Sequence, residues 1–329
     1  MTLILGIETS CDETAAAVVV DGRTVRSSVV SSQVDLHARF GGVVPEVASR
    51  AHVELITPVI ADALVEAGVE LSDLDAVAAC HGPGLAGALL VGVAAAKGLA
   101  LAGGLPYVGV NHLEAHLHAA WLEDPDLQPP LAVLIVSGGH TMTVVMEGHG
   151  RYRVVGETVD DAAGEAFDKV ARHLGLGYPG GPAIDRLARE GDRAAVRFPR
   201  AMPGEAAFSF AGLKTAVVNH TRRHPDTPLA DVAASFQEAV VDQLVDKLVA
   251  AADEASAPVL ALGGGVAANS RLRARVADAG AATGRSVFLP PPSLCTDNGA
   301  MIAATAWWRL RTDGPTPLDA GADPNLRLA

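Results

Sequence analysis

Two stretches of the chain repeat one layout: a short apolar strand, a turn of small polar residues and a second apolar strand. The first copy spans Leu3–Val20 and turns through Glu8–Glu13. The second spans Leu131–Met146 and turns through Ser137–Thr141. Each copy predicts a hairpin whose amides and hydroxyl groups could meet a phosphate, although a plain hairpin turn explains the same residues. The repeat predicts one hairpin in each half of the molecule.

Length and composition favour an α/β enzyme. The 329 residues can bury a substantial core and suggest roughly two domains, and the chain is rich in Gly but poor in aromatic residues. Three scattered cysteines, Cys11, Cys80 and Cys295, favour a reducing compartment over a disulfide framework. No basic leader is visible, and the apolar run Val91–Leu105 contains Lys97. We therefore expect a cytoplasmic protein with this run as a buried helix and no membrane span.

Charge is unevenly distributed along the chain. The net charge of −13 argues against a surface that binds nucleic acid everywhere. Between Lys169 and Arg223, however, 10 Lys and Arg stand against 4 Asp and Glu, a local charge of +6. A polyanion that docks on one side would require such a segment. A solvated basic helix is the alternative explanation.

Glycine-rich bends follow two further predicted strands. Asp75–Ala79 runs into His81–Gly87, and Pro258–Leu262 runs into Gly263–Asn269. A bend between strand and helix presents free amides to an anion, or backbone to a ribose or flat ring, with Asn269 as a polar reader. Close packing of helix on sheet explains the glycines of the first bend equally well.

A histidine pair is the strongest candidate for metal binding. If the run from residue 111 to 118 is helical, His112 and His116 project from one face and can share a divalent ion. Glu114 lies about 200° around the helix from His112 and cannot easily join that ion. It also stands at the wrong offset for a zincin peptidase, and His118 points away. The alternative is two histidines that cap or hydrogen-bond a helix.

The order of the motifs resembles one family closely. One hairpin per half is the outline of the actin, hexokinase and Hsp70 superfamily, in which a nucleotide lies between two related lobes. Within it, the chain resembles the TsaD family of bacterial tRNA threonylcarbamoyladenosine synthesis proteins, formerly described as O-sialoglycoprotein endopeptidases. The resemblance covers Leu3 to about Arg309. The motifs that carry it are Gly6–Thr14, Gly41–Glu46, Gly82–Leu85, His112-x-Glu114-x-His116, Val136–Thr141, Asp161–Lys169, Tyr178–Pro182, Phe208–Thr215 and Cys295–Met301.

The resemblance implies a fold, an activity and a ligand set. The fold is α/β, a two-lobed actin-like ATPase architecture with duplicated βββαβα-type lobes. The activity is transfer of threonylcarbamoyl from threonylcarbamoyl-AMP to N6 of adenosine 37 in tRNAs that read ANN codons, with release of AMP. One divalent metal, iron(II) with zinc or magnesium as substitutes, would be held by His112, His116 and Asp297. An adenylate or ATP-like nucleotide would bind at Ile135, Val136, Ser137, Gly138, Gly139, Asp168, Gly181, Asp185 and Asn269.

The resemblance also implies lobes and partners. Residues 1–110 with 300–329 would form the N-terminal lobe and 111–299 the C-terminal lobe, with the metal and the adenylate in the cleft between them. The partners would be tRNA, the proteins TsaB and TsaE, and TsaC as the source of threonylcarbamoyl-AMP. Asp12 and Glu13 on the first turn are hypothetical acceptors of the N6 proton. A hydrogen-bonded hairpin cap is the alternative role for both carboxylates.

Three other functions compete with this interpretation. An actin-like ATPase or kinase without a tRNA role explains the hairpins and glycines, but not the metal triad. A metallopeptidase lacks a correctly placed base, since Glu114 is displaced. A TsaB-like scaffold would keep the fold without ligands. Two departures from the family pattern, Cys80-His81-Gly82 before the Pro-Gly-Leu turn and Ala267 in place of serine, touch no expected ligand position.

Overall fold

The computed structural model describes residues 1–328, and the chain divides into two compact units. The first unit comprises Met1–Leu127 and Thr296–Ala329, and the second comprises Gln128–Cys295. The strands and helices, in chain order, are β1 (Leu3–Glu8), β2 (Glu13–Val20), β3 (Thr24–Ser32), α1 (Val34–Ala38), α2 (Pro45–Ala67), β4 (Ala76–Gly82), α3 (Ala86–Gly103), β5 (Tyr107–Asn111), α4 (His112–His118), β6 (Leu131–Val136), β7 (Thr141–Gly148), β8 (Arg151–Glu157), α5 (Ala163–His173), α6 (Gly180–Ala188), α7 (Ala211–Arg223), α8 (Leu229–Ala255), β9 (Val259–Gly263), α9 (Ser270–Thr283), β10 (Ser286–Phe288), α10 (Pro292–Cys295) and α11 (Gly299–Thr312).

The two units contain sheets of the same topology. The first sheet has the order β3-β2-β1-β4-β5 and the second has the order β10-β9-β6-β7-β8. In each, three consecutive strands pair antiparallel, and the fourth then returns parallel to the first. Numbered within its own unit, each sheet reads 3-2-1-4-5. The duplication predicted from the two hairpins is therefore present in the backbone.

The unit boundaries differ from those expected from sequence. Residues 111–127 and 296–299, expected in the C-terminal lobe, belong to the first unit. The physical reason is that α4 continues directly from β5 and packs against α11. Ala115 and Ala119 share a hydrophobic cluster with Ile4 and Ala300, so the histidine helix is part of the core of the first sheet.

Helix α3 has the length and apolar composition needed to cross a membrane, alone among the helices of residues 1–328. One third of its 18-residue window is buried inside the structure, and the helix packs on α2 and β4. Leu90 and Leu101 are exposed on its outer face. The buried helix expected from sequence is thus buried along one side, and a single helix of this kind is weak support for a membrane span.

Helix α11 approaches β1 and β2 so closely that only glycine fits at two facing positions. A Cβ on Gly6 would collide with the carbonyl oxygen of Gly299 and lie 2.5 Å from the backbone nitrogen of Ala303. A Cβ on Gly299 would lie 2.5 Å from the backbone nitrogen of Ala17. Because backbone atoms cannot move aside as a side chain can, these two glycines fix the depth at which α11 sits on the sheet.

We predict that Gly6→Ala lowers the free energy of unfolding by about 1–3 kcal/mol, the usual cost of overpacking a core. The matched control is Gly98→Ala in α3, where an added Cβ meets nothing within 4 Å. That change should stabilise the helix by up to about 1 kcal/mol. Urea unfolding of the three proteins measures both effects. Equal stability of the two variants would contradict the close approach of α11.

Candidate metal and substrate sites

The histidine helix begins at a polar cap. Asn111 is the last residue of β5, and its side-chain oxygen accepts hydrogen bonds from the amides of Leu113 and Glu114 at 2.9 and 3.3 Å. The side-chain nitrogen of Asn111, Nδ2, donates to the carbonyl of Arg327 at 2.9 Å. This cap ends the strand and starts α4 at His112, so that the histidines follow directly from the carboxyl end of a buried strand.

His112, His116 and Asp297 converge in the first unit. The two imidazole rings are 4.8 Å apart between centroids and nearly perpendicular. One carboxylate oxygen of Asp297 lies 3.3 Å from Nε2 of His116 and 3.6 Å from Nε2 of His112. Their donor atoms all lie within 4.8 Å of one another, and both histidines are buried. The three residues expected to bind the metal are therefore brought together.

Asp297 reaches the histidines because Asn298, the residue after it, caps α11. The side chain of Asn298 accepts from the amide of Met301 at 3.0 Å, so Asp297 is not the cap that its position alone would suggest. A second contact ties α11 to the histidine helix. Arg309 donates through Nε and Nη2 to the buried carboxylate of Glu114, both at 2.9 Å. Glu114 thus braces the two helices and faces away from the donor set.

The other ring nitrogen of His112 is held by a buried acid. Oε2 of Glu8 lies 3.0 Å from Nδ1 of His112, and the hydroxyl of Ser10 lies 3.2 Å from the same atom. Cys80 is buried beside them, and burial raises the pKa of its thiol to about 12. Burial alone would lower the pKa of His112, but Asp297 and Glu8 outweigh it and raise that pKa well above its usual value. The pocket around His112 favours a positive charge.

The donor set fits a divalent metal ion. Both ring nitrogens of His116 are buried and lack a hydrogen-bond partner among residues 1–328. Nε2 lies 3.3 Å from the Asp297 carboxylate without forming a hydrogen bond, and an ion shared by these two groups would satisfy that nitrogen. Two imidazole nitrogens and one carboxylate oxygen form a set that suits iron(II) and leaves other coordination positions open. The second shell is also in place, since Glu8 orients His112 through Nδ1.

The acidic turn between β1 and β2 lies within electrostatic reach of Asp297. Burial is the largest cause that raises the pKa of Glu13 to about 9, and the charges of Asp297 and Asp12 add to it. Burial, Asp12 and Asp297 likewise raise the pKa of the Cys11 thiol. Asp12 and Glu13, singled out on the first turn, therefore sit in the same charged environment as the metal triad.

The expected adenylate residues lie in the second unit, several at the carboxyl ends of β6 and β9. Ser137 closes the turn after β6 through its amide, which donates to the carbonyl of His140 at 2.8 Å. Its own carbonyl accepts from the amide of Gly164, which seats the start of α5 on that turn. Ile135 and Val136 are fully buried in the strand. Carboxyl ends of neighbouring parallel strands are where open α/β sheets bind ligands.

Glycines in the second unit are of two kinds. A Cβ on Gly164 or Gly264 would lie 2.6 Å from a carbonyl of the β6 turn, so packing requires these two. By contrast, a Cβ on Gly138, Gly139 or Gly181 would meet nothing within 4 Å, and none of the three has a positive φ. Neither packing nor backbone conformation requires glycine there. The backbone at these three positions is therefore open on the side that a Cβ would occupy.

Three polar residues expected to bind the substrate have partners within the protein. Asp168 accepts from the amide of Gly180 at 2.7 Å, which places Gly181 at the start of α6. Asp185 accepts from the hydroxyl of Ser270 at 2.7 Å. Asn269 caps α9 and donates to Gln237 at 2.7 Å. These contacts hold the three side chains in fixed positions, and their role toward a substrate stays a prediction.

Sequence reasoning missed Glu8, Ser10, Cys80 and Arg309. Glu8 is 104 residues from His112 along the chain, so no local spacing could reveal the contact. The one available signal was an acid at the end of a fully apolar strand, since buried carboxylates are rarely left unpaired.

Comparison with known proteins decides the family. The family model described as "TsaD: tRNA N6-adenosine threonylcarbamoyltransferase" matches residues 24–304. The chain belongs to the TsaD family. Proteins of that name from Anaeromyxobacter dehalogenans and Clostridium perfringens are 57% and 51% identical, over 100% and 99% of this chain and 100% and 98% of theirs. The relative from Symbiobacterium thermophilum is 55% identical over 99% of this chain and 97% of its own length. The family and the transferase class predicted from sequence are confirmed.

Solved structures confirm the fold class. HypF from T. kodakarensis has a TM-score of 0.65 at 16% identity, over 94% of this chain and 48% of that protein. Component A of the (R)-2-hydroxyglutaryl-CoA dehydratase from Acidaminococcus fermentans has a TM-score of 0.58 at 14% identity, over 95% and 100%. Both share the actin-like ATPase fold with this TsaD-family chain.

We predict that Glu8→Gln weakens metal binding about 10–100-fold, the usual cost of removing a carboxylate that orients a ligand histidine. Calorimetric titration of metal-free protein with cobalt(II) or iron(II) measures the change. Glu114→Gln is the matched control, because that carboxylate is equally buried and lies on the helix that carries both histidines, but pairs with Arg309. It should lower the thermal midpoint and spare metal affinity. Equal losses of affinity in the two variants would contradict the positioning role.

We predict that Glu13→Gln stabilises the metal-free protein increasingly as the pH rises. Glu13 keeps its proton in the folded protein up to about pH 9, whereas the unfolded side chain ionises near its usual pKa. Between those two values the wild type loses stability with rising pH, and glutamine removes that loss. Thermal midpoints measured from pH 5 to pH 9 should diverge. A difference that stays constant across this range would contradict the raised pKa.

Proposed function

We propose that this chain transfers the threonylcarbamoyl group of threonylcarbamoyl-AMP to N6 of adenosine 37 in tRNAs that read ANN codons, with release of AMP. The observation that carries the proposal is the triad of His112, His116 and Asp297 in a chain of the TsaD family. An actin-like ATPase or kinase with no tRNA role has no use for such a triad, and the comparisons give that alternative no support.

The metal in this proposal is one iron(II) ion, held by the three residues of the triad. Zinc and magnesium are the substitutes to test. When bound, such an ion supplies Lewis acidity toward a carbonyl oxygen and a fixed positive charge. The contribution of the chain is to present neutral His112 and His116 with their Nε2 atoms directed toward Asp297. Glu8 maintains that orientation by accepting the Nδ1 proton of His112.

The adenylate is proposed to bind the second unit. Its phosphate and ribose would lie against the backbone at Gly138, Gly139 and Gly181, where a Cβ would otherwise stand. Asp168, Asp185 and Asn269 would read the polar groups of the ligand. The support is the absence of any packing or conformational reason for those three glycines. Because turns of this kind are already ordered before the ligand binds, they can hold an acyl donor in a reactive orientation without a further loss of backbone entropy.

The transfer balances without a covalent enzyme intermediate. The N6 amine forms a bond to the carbamoyl carbon, and the bond from that carbon to the phosphate oxygen of AMP breaks. AMP leaves with the electron pair, and N6 loses one proton. Asp12 and Glu13 are the proposed acceptors of that proton. An amine of adenine is a weak nucleophile, so stabilising the departing phosphate carries much of the rate.

The partners follow from the same proposal. Transfer to adenosine requires tRNA, and TsaC would supply threonylcarbamoyl-AMP. TsaB and TsaE are the proposed protein partners, on the strength of the family resemblance. Cytoplasmic location belongs to the same set of expectations.

The decisive test is product formation. Purified protein, its partners, threonylcarbamoyl-AMP and unmodified ANN-reading tRNA are incubated, and nucleoside digests are read by mass spectrometry. We expect threonylcarbamoyladenosine with wild type. Asp297→Ala should reduce it by roughly 100-fold or more, because even partners outside the ligand set cost 10–100-fold. Metal analysis of both proteins is the parallel readout.

The possible outcomes test the transferase activity and the role of the metal separately. No product from wild type, under conditions in which a TsaD protein from one of the relatives is active, would contradict the transferase. Full product from Asp297→Ala would contradict the metal role alone.

We further predict that Gly181→Ala weakens adenylate binding at least about tenfold without lowering the thermal midpoint. The added methyl would occupy ligand space but contact no protein atom within 4 Å. Binding of a non-hydrolysable adenylate analogue, followed by calorimetry, measures the change. Gly98→Ala is the control with an equally open Cβ position in the first unit, and it should bind the analogue like wild type.

A further inference from the structure

An arginine cluster on the second unit is not used by the proposed chemistry. Two carboxylates, Glu238 and Asp242 of α8, hold three guanidinium groups. Arg271 contacts Glu238 at 2.6 Å, and Arg275 contacts Glu238 at 3.1 Å and Asp242 at 2.7 Å. Arg200 contacts Asp242 at 2.6 Å. Three fixed cations against two anions leave this network with an excess of one positive charge.

Two more arginines lie beside the network. Arg193 acts on Glu238, whose pKa is held below its usual value first by the hydrogen bond from Arg271 and then by the charges of Arg275 and Arg193. Arg193 and Arg197 are exposed and have no ion-pair partner within residues 1–328. Two carboxylates close to Arg193, those of Asp192 and Asp231, accept hydrogen bonds from the backbone amides of Ala194 and Asp192, each at 2.8 Å. Neither carboxylate forms an ion pair with Arg193 or Arg197 within residues 1–328.

The exposed arginines border a concave surface. A cavity of about 800 Å³ is lined by Arg193, Ala194, Val196, Arg197, Phe198, Pro199 and Arg200. This lining contains three guanidinium groups and, in the described part of the chain, no carboxylate. The chain as a whole carries −13, so a concavity lined, within residues 1–328, by two unpaired arginines and the ion-paired Arg200, without a carboxylate, differs locally from the rest of the chain in charge. Such a surface attracts an anion against the field of the rest of the protein.

The chemistry of the lining favours a backbone phosphate over a free nucleotide. Phe198 is the one aromatic residue of the lining within residues 1–328, and it is buried with its ring 5.7 Å from that of His220. It therefore offers no face on which a base could stack. Guanidinium groups bind phosphate oxygens in a fixed fork, and such contacts position a nucleic acid without reading its bases.

We propose that Arg193, Arg197 and Arg200 form a docking surface for the phosphate backbone of the substrate tRNA. This rests on the proposed function, which supplies tRNA as the partner. Arg193 and Arg197 contact the phosphates directly. Arg200 is held by Asp242 and adds fixed positive charge to the floor of the surface. The ion-paired network below keeps the surface in place before the RNA arrives, so little side-chain order is lost on binding.

The test measures binding separately from catalysis. Wild type and Arg193→Glu/Arg197→Glu are each combined with the same partners, and fluorescently labelled unmodified tRNA is titrated by anisotropy at several salt concentrations. We expect the double variant to bind at least about tenfold more weakly, and its slope of log affinity against log salt to be shallower by roughly 2, one unit for each phosphate contact. Arg193→Gln/Arg197→Gln, which adds no negative charge, should show the same shallower slope and keeps the test valid if the glutamate variant fails to fold.

A matched control distinguishes the loss of this docking surface from the effect of a changed net charge. Arg23→Glu/Arg26→Glu makes the same change of charge at two exposed arginines of the first unit. It should retain the wild-type slope. Equal losses in the control, or wild-type binding by the Arg193/Arg197 variants, would overturn the proposal. Displacement of tRNA by millimolar AMP from wild type but not from these variants would overturn it too, since the surface would then hold a mononucleotide.

The tRNA-binding experiment can be interpreted whether or not the protein forms threonylcarbamoyladenosine. If wild type binds tRNA in this way but makes no threonylcarbamoyladenosine, the proposed function fails and the docking surface stands. If product forms and the variants bind like wild type, the docking surface fails alone. When both hold, the variants should raise the KM for tRNA and leave kcat at saturating tRNA near the wild-type value.

Discussion

The metal triad depends on the contact between α11 and the first sheet at Gly6 and Gly299. Asp297 lies two residues before Gly299, so the depth of that helix sets the distance from the carboxylate to the histidines. A Cβ on either glycine would lie 2.5 Å from a backbone nitrogen across the contact, so the helix or the sheet would have to shift. A coordination sphere tolerates displacements of only a few tenths of an ångström, about ±0.2 Å. The two glycines bind no metal themselves, but they set the position of a residue that would.

Repulsion among neighbouring carboxylates explains why the triad lies where it does. Glu8, Asp12, Glu13 and Asp297 lie on or near one turn, and two cysteines share the neighbourhood. Burial raises the pKa of the Glu13 carboxyl and of the Cys11 thiol, and the charges of Asp12 and Asp297 raise both further. A cation relieves that repulsion, and in its place a proton on His112 does the same. The pocket is therefore arranged to bind positive charge, and metal and proton compete for it.

Much of this could be predicted from the sequence. Short continuous apolar runs on either side of polar turns predicted both hairpins, and the four-residue spacing predicted the histidine pair, because these signals are local. The third ligand came only from family resemblance, since Asp297 is brought to the helix by tertiary packing. Glu8 was missed for the same reason. The glycines could not be sorted by sequence, because Gly164, required by packing, and Gly138, open to solvent, look alike until neighbouring backbones are placed. The lobe boundary differs from expectation because packing against α11, rather than chain order, decides where α4 belongs.

The shared 3-2-1-4-5 order of the two sheets implies that their first turns are equivalent positions that have diverged in charge. In the first unit that turn carries Asp12 and Glu13, while its counterpart, Ser137–His140, contains no carboxylate. One backbone shape is therefore present twice, with an acidic turn in one unit and a turn without carboxylates in the other. The two turns differ in charge by a handful of side chains, while the strands on either side of them keep the same order and pairing.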